Sequence, residues 1–168
     1  MRFCIDSSVY ITAQRTYYAF DIAESFWNAL EDLATNKIIL SPIAAYIEIQ
    51  KGKDQLAEWT KIWKKELFIE PDFNVNRELT KVADYVNTNY MDQHWISDFL
   101  SGADPWVIAQ ASAHNLIVVT MENQKSSEER DKTINKIRGK IKIPNVCAQF
   151  DVQCITTFEF MRENNIKL

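Results

Sequence analysis

The chain has 168 residues, 46% of them hydrophobic, with three glycines and four prolines, which suits one helix-rich domain with short loops. A chain of this size buries about 70% of its unfolded surface. No run approaches the roughly 18 apolar residues of a membrane helix, and one Arg followed by a strand-like run is not a signal peptide, so neither a span nor export is expected. A net charge of −4 excludes a generic polyanion binder: positive charge for such a ligand has to be local, or brought by a metal or a partner. Three cysteines, at 4, 147 and 154, match no zinc spacing and suggest buried thiols in a reduced, cytoplasmic protein.

Phe3-Cys4-Ile5 is a short apolar run that reads as a strand buried on both faces, with Asp6 directly after it. Ser7 and Ser8 are placed to cap a helix begun by Val9, Tyr10 and Ile11. Taken alone, Asp6 is as well explained by a turn or cap. Residues 21–33 carry apolar side chains at 22, 23, 26, 27, 29, 30 and 33, a helical stripe. Ile38-Ile39-Leu40 predicts a second strand. Ser41-Pro42 predicts a helix to Gln50, with Ser as N-cap and Pro as the first helical residue. Glu48 is the one charge in that helix. It either turns to the surface, or is neutralised by Lys51 or Lys53, or is kept for a purpose.

Residues 54–66 predict an amphipathic helix with Leu56, Trp59, Ile62 and Trp63 on one side, and Phe68-Ile69 an edge pairing or a connection. A helix follows over 76–90, then a loop with aromatic residues to Gly102. His94 and His114 have no ligand spacing and read as surface or capping residues. Asp104-Pro105 predicts an N-cap Asp and N1 Pro opening a helix to His114, stopped by Asn115. Leu116 to Val119 is the clearest strand, and Thr120-Met121-Glu122-Asn123 follows it. Arg130, Lys132, Lys136, Arg138, Lys140 and Lys142 form the basic stretch, which suits a solvated helix face or a phosphate-contacting patch. A short helix near 143–147, a strand over 152–155 and a terminal helix capped by Thr157 complete the chain. Alternating strands and helices imply a parallel α/β sheet in one domain, residues 1–168.

In such a sheet, groups at strand ends gather on one edge. Asp6, Glu48, Asp104 and Glu122 are then four carboxylates that repel and raise one another's pKa unless a cation lies among them. Hard oxygen donors suit Mg²⁺ or Mn²⁺, and with such ions the site supports phosphoryl-centred hydrolysis.

Ile5-Asp6-Ser7-Ser8, Glu48 in the helix after the second strand, Ala103-Asp104 with Ile108-Ala109, and Val119-Thr120-Met121-Glu122 resemble the successive motifs of PIN-domain nucleases. With the middle insertion and Lys-Ile-Pro-Asn-Val-Cys at 142–147, the chain is similar to a bacterial PIN-like group related to toxin–antitoxin ribonucleases. The resemblance implies a PIN-like fold and a metal-dependent endoribonuclease that leaves a 5′-phosphate and a 3′-hydroxyl. It also implies a toxin held inactive by an antitoxin protein, with homodimers common among such toxins. Asp6, Glu48 and Asp104 would be metal ligands, Glu122 would complete the metal site either directly or through water, and Ser8 would orient a carboxylate. The fourth acid of the family is most often Asp, whereas here it is Glu122, one methylene longer, with Asp98 as a substitute.

Two other readings follow from the same residues. One is a catalytically silent PIN-like binding module, whose partner surface would use the five Trp and the aromatic-rich segment around Tyr90 to Phe99. The other is an aspartyl phosphatase, disfavoured because Ser-Ser follows Asp6 where those enzymes carry a second acid.

Overall fold

Five short apolar runs pair into one sheet, every strand parallel to its neighbour. They are β1 (Phe3–Ile5), β2 (Ile39–Pro42), β3 (Phe68–Ile69), β4 (Ile117–Thr120) and β5 (Cys154–Thr156), in the order β3-β2-β1-β4-β5. The structure is a computed structural model and describes residues 1–16, 18–123 and 128–168. In β1, Cys4 lies opposite Leu40 of β2 and Val118 of β4. Successive strand residues point to opposite faces, so Phe3 and Ile5 enter one core with Ile39, Val119 and Ile155. Cys4 joins Leu40 and Val118 in the other. Both faces are buried, which is why the strands read as continuous apolar runs and do not alternate.

The first core is closed by α1 (Ser7–Arg15), α2 (Glu24–Thr35), α3 (Ile43–Gln50), α4 (Gln55–Ile62), α5 (Lys64–Leu67) and, near the C-terminus, Thr157–Glu163. The second is closed by α6 (Phe73–Asn89), α7 (Gln93–Ser101), α8 (Asp104–His114) and α9 (Ile143–Cys147). The terminal helix Thr157–Glu163 is α10. Among the described residues, no helix is long and apolar enough to cross a membrane.

The order of the strands matters for function. From β1 the chain steps outward through β2 to β3, then returns to the other side of β1 for β4 and β5. The carboxyl ends of β1 and β4 therefore frame the point where the winding reverses, the usual place for a ligand in an open α/β sheet.

Several expected boundaries move. Residues 93–101 form α7 and not a loop: 95, 96, 99 and 100 carry helical spacing, and Ile96 and Phe99 are buried. Trp63 divides the stretch 54–66 into α4 and α5, leaving Ile62 exposed, while the Trp59 and Trp63 indoles both donate to Glu31 (2.8 and 2.9 Å). The basic stretch is not a helix. Ile137 bridges to Tyr90 and Arg130, Arg138 pairs with Asp131, and Lys136 donates to the Asn87 carbonyl. Thr156, one residue before the expected cap, closes a capping box with Glu159 at the start of α10. Asn115 stops α8 in the left-handed region (φ 52°), as its sequence position predicts. His114 meets Asp72 at the α6 N-terminus (3.1 Å), and His94 is exposed beside Trp95.

Candidate active site

Asp6 is fixed from both sides. Its N–H donates to the Val119 carbonyl (2.9 Å), extending the β1–β4 ladder by one residue. The preceding Ile5 carbonyl accepts from Ser41 Oγ (2.7 Å), whose hydroxyl also meets the Tyr10 hydroxyl (3.0 Å). Ser41 is thus a fully buried strand residue bracing β1, not the cap of α3, and Pro42 takes the N-cap place.

By backbone position Asp6 is the N-cap of α1, yet its side chain caps nothing, and Ser7 and Ser8 lie inside the helix they were expected to precede. The Asp6 carboxylate, only 2% exposed, accepts from Ser8 Oγ and from Thr120 Oγ1 (2.9 Å), with Ser7 Oγ at 3.5 Å. Ser8 Oγ in turn accepts the Met121 N–H (3.2 Å), and Thr120 Oγ1 accepts the Glu122 N–H (3.1 Å). A cap would spend this carboxylate on its own helix. Here it is held across the β1–β4 gap.

Glu48 is half-buried on α3, and its carboxylate accepts from Ser7 Oγ, so α1 hydroxyls tie two acids from different elements. Asp104 is the first residue of α8 behind an Ala103 N-cap, with Pro105 next, so the expected Asp cap is displaced by one residue and its carboxylate makes no capping bond. Burial, reinforced by Asp6, Glu122 and Glu48, pushes the Asp104 carboxyl up to about 8, and Lys140 opposes that rise. Asp6 is raised as well, chiefly by burial and further by Glu48 and Glu122, while the Ser8 and Thr120 hydrogen bonds pull it back. The four acids are therefore electrostatic neighbours at the carboxyl edge of the sheet.

Their neighbourhood is not yet a coordination sphere. Among the described residues, no three His, Cys, Asp or Glu side chains are drawn close enough to hold one ion as they stand. The donor chemistry nonetheless suits a hard divalent cation: the acids offer only oxygen, and Asp104 keeps its proton to about pH 8 unless positive charge replaces it. Glu122 stands apart from the other three. Lys142 Nζ donates to its Oε1 and the Ile143 N–H to its Oε2, both at 2.8 Å, so its charge is already answered from the start of α9. Asp98 is exposed on α7 and is not among the groups acting on Asp6 or Asp104.

Three participants escaped the sequence reading. Ser7 and Thr120 sit inside the quoted motifs, but hydroxyl residues at a helix start and a strand end look like ordinary capping chemistry. Lys142 is drawn from the basic stretch, and only the tertiary fold brings it to an acid twenty positions earlier.

The sheet order and the flanking helices define a PIN-like α/β fold. A chain of VapBC-1 from nontypeable Haemophilus influenzae shares it, with a TM-score of 0.55 over 93% of this chain and 98% of that one, at 13% identity. A chain of VapBC2 from Rickettsia felis, bound to a DNA fragment from their promoter, aligns at a TM-score of 0.48 and 19% identity, covering 73% and 88%. No curated protein sequence matches this one. The profile of the family described as Domain of unknown function (DUF4411) matches residues 3–168, and the chain belongs to that family.

Proposed function

We propose that this protein is a Mg²⁺- or Mn²⁺-dependent endoribonuclease and the toxin of a toxin–antitoxin pair, with residues 1–168 forming a single PIN-like domain that acts in the cytoplasm. The observation that carries the reading is that the Asp6 and Asp104 carboxyls are both raised by burial and by neighbouring acids that include Glu48, with a strand end and two helices delivering the three to the reversal point of the sheet. Asp6, Glu48 and Asp104 would hold the ion. When bound, the ion lowers the pKa of an attacking water and offsets charge on the phosphate. Ser8 and Thr120 keep the Asp6 carboxylate in one rotamer, and Ser7 does the same for Glu48. Glu122, held by Lys142 and the Ile143 N–H, adds negative charge beside Asp6 and Asp104. Three free thiols at positions 4, 147 and 154 fit a reducing compartment.

The structural similarity to a VapBC chain supports the toxin–antitoxin setting through the fold. Cleavage of single-stranded RNA in Mg²⁺ or Mn²⁺, lost in EDTA, tests the enzyme. Co-expression with the product of a small adjacent reading frame, followed by loss of cleavage, tests the toxin.

The Glu122–Lys142 pair favours a second reading, a silent PIN-like binding module in which the fourth acid serves structure alone. Magnesium titration by calorimetry separates the two. The nuclease takes up the ion through Asp6 and Asp104, whereas the silent module gives no heat.

A further inference from the structure

Beside the acids lies a groove of about 190 Å³ between the end of α3 and the α7–α8 junction, lined by Ala44, Ile47, Glu48, Lys51, Gly102 and Trp106 among others. Small residues such as Ala44 and Gly102 are part of its lining, and Glu48 belongs both to this groove and to the acidic edge. Trp106 is the unusual wall. The Trp27, Trp59 and Trp63 indoles pack on the first core and donate their N–H groups to Tyr18 or Glu31, and Trp95 packs on the second core. Trp106 belongs to neither core, its indole N–H meets no acceptor among the described residues, and it is only half-buried. A half-buried aromatic face outside both cores, two residues after Asp104, is stabilised by whatever covers its open part. Lys51, exposed at the α3 terminus on the same groove, makes no ion pair among the described residues.

We propose that this groove is a nucleobase subsite, in which the Trp106 indole stacks on the base next to the phosphate held at the acidic edge and Lys51 faces the following phosphate. It rests on the reading of the site as one that acts on RNA. A planar base satisfies the aromatic face without demanding a particular sequence, and single-stranded nucleic acid is the polymer whose bases are free to turn outward. Continuity through Glu48 sets the direction: the strand passes from the acids over α3 toward Lys51. The protein then grips its polyanion with one ring and one local cation despite its net negative charge.

The test uses the full chain in EDTA and a fluorescent single-stranded 12-mer RNA, with a 12-mer of abasic ribose-phosphate as the second probe. Polarisation should show the intact RNA bound about tenfold more tightly than the abasic strand. Trp106→Leu should remove most of that difference, and Trp106→Phe should restore most of it. Lys51→Gln should weaken both probes alike and lower the slope of log affinity against log salt by about 0.7. Equal binding of the two probes by the wild type overturns the subsite, and needs no variant to fold. A Trp106→Leu protein that melts normally and still prefers intact RNA overturns it too. Metal-dependent cleavage with no Trp106 effect leaves the nuclease standing and removes the subsite. Trp106-dependent binding with no cleavage in Mg²⁺ or Mn²⁺ supports the subsite and removes the nuclease.

Discussion

Asp104 and Glu122 are both acids at the same edge, and their surroundings give them opposite roles in stability. Asp104 is half-buried beside three other carboxylates and keeps its proton to about pH 8 when folded. Unfolded, it releases that proton near pH 4, so the folded state binds more protons across this window and stability falls as pH rises from about 4 to about 8. Asp104→Asn removes that loss. In EDTA at pH 7.5 its melting temperature should exceed the wild type's by several degrees, and its stability should vary less with pH between 4 and 8. Because Ala103 and not Asp104 caps α8, no cap bond is lost to mask the gain. Glu122→Gln should act the other way. It removes the negative charge that Lys142 faces and weakens the bond to the Ile143 N–H, costing about 1–2 kcal/mol in a denaturant titration. If both variants shift stability in the same direction, the acids are not arranged as described.

Elements near the site depend on local chemistry that the sequence displays openly. Asn115 holds a left-handed conformation that β-carbon sterics make costly for most residues. Asn115→Gly should therefore be neutral within a few tenths of a kcal/mol, whereas Asn115→Val should cost about 1–2 kcal/mol by chemical denaturation. Such stops, together with the apolar runs of β1 and β4, made the α/β alternation and the central strands readable. Boundaries were harder where a tertiary partner decides. Trp63 interrupts a plausible single helix at the point where its indole reaches across to Glu31 on α2, and Ser41 sits in a strand with its hydroxyl donating to the Ile5 carbonyl and meeting the Tyr10 hydroxyl. In the basic stretch, charge density suggested one continuous solvated face. Ile137, fully buried, pins the chain to Tyr90 and prevents it.

At the scale of the whole molecule, the sheet order turns scattered acids into neighbours. Asp6 and Glu122 follow β1 and β4, which flank the reversal point, while α3 and α8 bring Glu48 and Asp104 to the same end. Strand-end position and motif order were enough to nominate these four residues. Chain order alone could not show that Glu122 is answered by Lys142, or that Ser7 links Asp6 to Glu48, since both contacts require the folded geometry. The remaining three acids carry the central claim. It is tested most directly by cleavage of an end-labelled single-stranded RNA with Mn²⁺, using wild type, Asp6→Asn and Asp104→Asn, each also in EDTA. The wild type should cleave with metal alone, and EDTA and both variants should leave only background levels. Cleavage that survives EDTA, or that survives both substitutions, would contradict it.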